Sequence, residues 1–118
     1  MKEGNVIQTK SYEFALEIVR VCQWLANERK ERVISQKLIR SGTSIGANVE
    51  EAIGAQSKRD FYSKLRISYK EARETHYWLR LLRDVGHLDP VQSEHLIGDC
   101  EELLKILCSI LKTLQSRN

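Results

Sequence analysis

Arg59, Arg66, Arg73 and Arg80 recur every seven residues in a stretch that also holds Lys58, Lys64, Lys70, Tyr69 and Tyr77. On an α-helix a seven-residue repeat drifts by only about 20° per step, so the spacing predicts one continuous arginine ridge. Guanidinium forks match phosphate oxygens, and neighbouring aromatic rings stack on bases. The chemistry this surface offers is tracking of a nucleic-acid backbone, driven by counterion release. Two other readings compete with it. Lys70–Glu74 and Arg80–Asp84 stand at i, i+4 and would partly neutralise an ordinary solvated face. Alternatively, the ridge could meet Glu94, Asp99, Glu101 and Glu102 of a neighbouring copy. The residues by themselves favour the solvated-face and interface readings over nucleic acid.

Other chemistry finds less support. His76, His87 and His95 show no H-x-x-x-H spacing, and Pro90 separates the last two. A carboxylate-bridged metal bundle would need Glu-x-x-His on paired helices, and Glu74-Thr-His76 is one residue short. Glu50 and Glu51 are adjacent and point to different faces, so they make no acid–base dyad. Cys22, Cys100 and Cys108 form no C-x-x-C, which suits reduced thiols used as small hydrophobes in the cytoplasm. The expectation is a protein that is not an enzyme, with no metal, cofactor or small-molecule substrate.

The elements that must carry the ridge are helical. The 118-residue chain has one proline and six glycines, and no run of 18 apolar residues that would span a membrane. Its N-terminus lacks the apolar core of a signal peptide. The periodicity predicts an N-terminal arm over 1–10 and a single bundle domain over 11–118. Helix 1 is expected from Ser11 to Glu28 on a stripe of Phe14, Ile18, Val21 and Leu25, followed by a solvated connection to Arg32. Helix 2 should start near Val33 or Ser35 and carry Ile34, Leu38, Ile45, Val49 and Ile53. Ser57 and Asp60 fit a capping box that opens helix 3 before Phe61. Helix 3 carries the seam Phe61, Leu65, Ser68, Ala72, Thr75, Leu79 and Leu82, and ends at Gly86. Asp89 as N-cap and Pro90 at the first helical position open helix 4, with Ile97, Cys100, Leu104, Leu107, Leu111 and Leu114 as its stripe. Four amphipathic segments with short connections imply an all-α, antiparallel up-down four-helix bundle.

Helix 2 is built against propensity. Gly42, Gly46 and Gly54 each cost about 1 kcal/mol relative to Ala in a helix interior. The small residues Ser41, Gly42 and Ser44 therefore suggest close approach to the small middle of helix 3, with Asn48 as a structural amide fixing that contact. Ile67 and Trp78 stand well off the helix 3 seam and are expected at a subunit interface. Charge is uneven within a net +3: residues 58–86 hold eight basic and four acidic side chains, and residues 87–118 three basic and five acidic.

The run Gln36-Lys-Leu-Ile-Arg40, then Ser41-Gly-Thr-Ser-Ile-Gly-Ala-Asn-Val-Glu-Glu-Ala52 and Ser57-Lys-Arg-Asp-Phe61, resembles the signature of a bacterial four-helix-bundle family. Its members are labelled 23S rRNA intervening-sequence proteins. Lys70-Glu-Ala-Arg-Glu-Thr-His-Tyr-Trp-Leu-Arg80 extends the similarity, which runs from about Ser11 to Leu114. The chain departs from it at Gly46, where many members place a proline, and at Glu50-Glu-Ala-Ile-Gly54, where many read Ala-Glu-Gly. The resemblance implies an up-down bundle assembled as a homopentamer with a central channel. A related branch comprises accessory proteins of diversity-generating retroelements, basic pentamers that bind nucleic acid and a reverse transcriptase. No catalytic residue is implied. The transferable feature is the basic surface, here Arg59, Arg66, Lys70, Arg73 and Arg80 with Lys58 and Lys64. The resulting expectation is a non-enzymatic, homo-oligomeric protein that binds RNA or DNA. The alternative is an interaction adaptor whose ridge docks an acidic protein or a neighbouring subunit.

Overall fold

The computed structural model describes the backbone of residues 2–116 and the side chains of residues 6–116. Four helices follow one another: α1 (Lys2–Asn27), α2 (Val33–Ile53), α3 (Lys58–Asp84) and α4 (Pro90–Ser116). Contacts between neighbours run in opposite senses. Along α2 and α3, Ile45 meets Ser68 whereas the earlier Ser41 meets the later Thr75. Along α1 and α4, Lys10 meets Glu102 whereas Glu17 meets His95. The bundle is antiparallel and up-down, with an apolar core along its 47 Å long axis.

The helix ends follow local chemistry. Asp89 accepts the Gln92 N–H on its side chain (2.7 Å) and the Ser93 N–H on its carbonyl (2.9 Å), starting α4 at Pro90 as expected. Gly86, at φ +86°, closes α3: its N–H reaches Arg83 O, and the His87 N–H reaches Leu82 O. This is the paired bonding of a Schellman turn, which needs a left-handed residue at that place. Sequence reading missed the cap of α2. Glu31, expected in a solvated connection, accepts the N–H groups of Ile34 (3.0 Å) and Ser35 (2.8 Å) on its two carboxylate oxygens.

Residues 2–10, expected as an arm, are instead the first turns of α1. Ser11 looked like a helix start but lies mid-helix, fully buried, with its hydroxyl donating to Gln8 O. Ile7, Ser11, Phe14, Ile18, Val21 and Leu25 then form one buried stripe in alternating steps of four and three. On α2 the expected stripe ends early, because Ala52 is buried and Ile53 is 47% exposed. On α4, Leu96, Leu103 and Ile110 are buried as well, while Leu104 and Leu114 are half-buried.

The small residues of α2 serve two neighbours rather than one. Gly42 and Gly46 face α1: a Cβ on Gly42 would lie 2.8 Å from Ile18 Cγ2, and one on Gly46 3.3 Å from Ser11 O. Ser41 and the Ile45 carbonyl face α3, where they take hydrogen bonds from Thr75 and Ser68 at 2.9 Å. The close α2–α3 approach therefore uses Ser41 but not Gly42. Asn48 does not fix that contact; its amide donates to Ser44 O of its own helix at 2.8 Å.

Two outcomes follow from this packing. At Gly42 the buried, β-branched Ile18 presents Cγ2, Cγ1 and Cβ to any added methyl. Overpacking costs about 1–3 kcal/mol, against roughly 1 kcal/mol gained by Ala over Gly in a helix. Gly42→Ala is thus expected to lower the urea midpoint. Gly98→Ala, with nothing within 4 Å of its Cβ, should raise stability by about 0.5–1 kcal/mol. Burial pushes the Cys22 and Cys100 thiols up to about 12. Thiol titration at about pH 8 should find only the half-buried Cys108 reactive in the native protein, and all three thiols after unfolding.

Candidate nucleic-acid interface

The ridge begins at the start of α3. Ser57 adopts extended backbone (φ −150°, ψ 162°), and its hydroxyl accepts the Asp60 N–H at 3.0 Å. Only this half of the expected capping box forms among the described residues. Asp60 instead contributes its negative charge to the first turn, where the helix dipole favours it. Downstream, Leu65, Ser68, Ala72, Thr75, Leu79 and Leu82 are buried, and this sets the rotation of α3. Arg59, Arg66, Arg73 and Arg80 consequently lie exposed on the outer face. Successive arginines rise by about 10 Å, so the ridge is roughly 32 Å long.

The neutralising pairs read from i, i+4 spacing do not form. Glu74 is taken by two other partners: it accepts the Trp78 Nε1–H at 2.9 Å and bonds the Arg40 guanidinium of α2. The Trp78 bond, then Arg40, holds the Glu74 carboxyl below its ordinary range despite opposing desolvation. Arg40 also binds Glu71 at 3.1 Å. Asp84 pairs with Arg83 at 2.7 Å, leaving Arg80 aside. Among the described residues, none of the four ridge arginines has a carboxylate within 4.0 Å. Three of the four α4 acids considered as a neighbour's counter-charges already meet a basic side chain of their own chain: Asp99 meets His95, Glu101 meets His76, and Glu102 meets Lys10.

The remaining candidates divide. Lys58 and Lys70 are exposed beside the arginines. Lys64 turns toward α2 and pairs with Glu51 at 3.1 Å. Tyr77 is half exposed, with the Arg80 guanidinium 5.9 Å from its ring and the Trp78 edge against it at 5.0 Å. Of the two candidate tyrosines it is the more exposed. Tyr69 is half-buried against the core, and the hydroxyl of nearby Tyr62 is held by Gln115 at 2.8 Å. Of the two apolar interface candidates, Ile67 remains 40% exposed. Trp78 is half-buried in its own chain, capped by Glu74 and by Lys37, whose ammonium lies 5.8 Å from the ring. Sequence reading missed the exposed apolar pair Tyr12 and Leu16 on α1, although its four-residue spacing was there to be read; Trp24, further along α1, is exposed as well.

Comparisons with known proteins agree with this architecture. The family model described as 23S rRNA-intervening sequence protein matches residues 3–109. A crystal structure from Bacteroides thetaiotaomicron VPI-5482, described as a protein of unknown function from the S23 ribosomal protein family, is 49% identical. It covers 93% of this chain and 98% of its own, with a TM-score of 0.91. No curated protein matches. With its four antiparallel helices and a family match over nearly its whole length, the chain belongs to the 23S rRNA-intervening sequence protein family.

Proposed function

We propose that this protein is a non-enzymatic, homo-oligomeric scaffold that binds nucleic acid, RNA in the first instance, through the outer face of α3. The observation that carries this reading is the set of four exposed arginines that, among the described residues, have no carboxylate partner, with Tyr77 half exposed among them. Arg40, not the ridge, engages Glu71 and Glu74. The family's name refers to 23S rRNA and the solved relative is assigned to a ribosomal protein family, which supports RNA over DNA. Assembly is supported by apolar side chains left exposed at Tyr12, Leu16, Trp24 and Ile67. A pentamer, as the resemblance implies, would repeat the ridge five times and multiply weak contacts through avidity. The site of action is the cytoplasm, where three free thiols stay reduced.

Binding is expected to be tolerant of sequence and to fall steeply with salt. Five phosphate contacts on a single strand, from the four arginines and Lys70, give a log–log salt slope of about −3 to −4. In filter binding, the double variant Arg66→Gln/Arg73→Gln should lose affinity uniformly across sequences and flatten the slope by about 1.4, while keeping its melting temperature. No binding at low salt, or an unchanged slope in the double variant, would sink the reading. A pull-down from lysate in which partners survive nuclease treatment would point to an acidic protein instead. Light scattering should show an oligomer at micromolar concentration, and a monomer there would contradict assembly.

A further inference from the structure

The other concentration of reactive groups lies on the seam between α1 and α4, away from the ridge. His95 and Asp99 stand one turn apart on α4, and Glu17 reaches them from α1. His95 Nε2 lies 3.1 and 3.3 Å from the two Glu17 oxygens and 3.3 Å from Asp99 Oδ2. One ligand atom from each residue falls within 4.8 Å of the others. Reading by helical spacing missed this group, because 78 residues separate Glu17 from His95. The i, i+4 pair His95–Asp99 was its one local trace.

We propose that Glu17, His95 and Asp99 bind a divalent transition-metal ion of borderline softness, of which zinc is the type. In a tetrahedral site with bonds of about 2.0–2.2 Å, neighbouring ligand atoms lie roughly 3.3–3.6 Å apart, close to the 3.3 Å that separates His95 Nε2 from both Glu17 Oε1 and Asp99 Oδ2. The same ring nitrogen faces two carboxylates, yet Nε2 carries at most one proton, directed along a single line in the ring plane. A proton there serves one carboxylate; a metal ion in the gap serves both and the imidazole together. Two carboxylates and a neutral imidazole balance a doubly charged cation.

Carboxylates outnumber fixed cations around the cluster. Glu13 and Glu102 line one flank with Lys10, itself paired with Glu102 at 3.2 Å, and Arg20 lines the other. Open spaces of about 180 and 360 Å³ flank the cluster along the seam, leaving room for the water that completes the coordination shell. An imidazole among the ligands selects zinc, cobalt or nickel over magnesium and calcium, which take oxygen alone. Bound there, the ion staples α1 to α4, the most loosely packed pair of adjacent helices in the bundle.

The test uses the tag-free full chain and zinc chloride. Isothermal titration near neutral pH is expected to show one ion per chain and a melting temperature that rises with zinc, as binding to the native state requires. Magnesium should give neither. His95→Ala and Glu17→Gln should each weaken zinc binding by at least about tenfold, since losing even a supporting residue costs that much at a metal site. His76→Ala should leave binding unchanged. Substitution with cobalt should show no thiolate-to-metal charge-transfer band. Absence of zinc binding at millimolar concentration, binding unaffected by His95→Ala, or a cobalt band that assigns the ion to Cys108 would each overturn the site.

Discussion

The close approach of α2 to both of its neighbours governs the rest of the molecule. Ser41, Gly42, Ile45 and Gly46 occupy about one and a half turns, and within them two helices are seated. Ile18 of α1 fills the space that a Gly42 side chain would need, and the Ser11 backbone rests against Gly46. On the other side, the buried Ser68 hydroxyl donates to Ile45 O of α2 and the buried Thr75 hydroxyl meets Ser41 Oγ, each at 2.9 Å, with Glu71 O of α3 also 2.8 Å from Thr75 Oγ1. Such a bond contributes only about 1 kcal/mol net, but leaving the Ser68 hydroxyl unpaired in the core would cost more, so this contact selects a single register. That register fixes the rotation of α3.

Rotation of α3 is what turns a sequence repeat into a surface. With Leu65, Ala72 and Leu79 inward, the arginines have no choice but to face water. Charge distribution then follows from reach. Arg40, presented by α2 beside the flank of α3, engages Glu71 and Glu74, and Trp78 takes a second bond to Glu74. Glu71 and Glu74, the two acids in the middle of α3, are therefore spent sideways, while Asp84 pairs with Arg83. A helix that looked self-neutralising along its length turns its arginine row outward and these two carboxylates toward α2.

Much of the architecture was legible because it rests on local rules. The start of α4 at Pro90, the Ser57 cap and the stop at Gly86 are short-range chemistry, and each residue does there what its type allows. The errors share a cause. Ser11 resembles an N-cap, but a serine is equally suited to a tight crossing where a larger side chain would hold two helices apart, and the buried Ile7 places it mid-helix. Glu31 looked solvated because its partners are backbone amides, which a side-chain pattern does not display. Asn48 is polar beside apolar residues, yet one turn of helix satisfies it without any neighbour.

By itself, the sequence determined that the chain is helical, where three of its four helices begin, which face of each is apolar, and that arginines repeat along α3. Those properties follow from periodicity and capping, which act over a few residues. Tertiary structure decided which neighbour each glycine of α2 admits, which acids remain to neutralise the ridge, and that Glu17, His95 and Asp99 meet across the α1–α4 seam. These depend on the distance between groups on different helices. A carboxylate chooses its partner by reach in space, and sequence spacing measures reach only within a single helix.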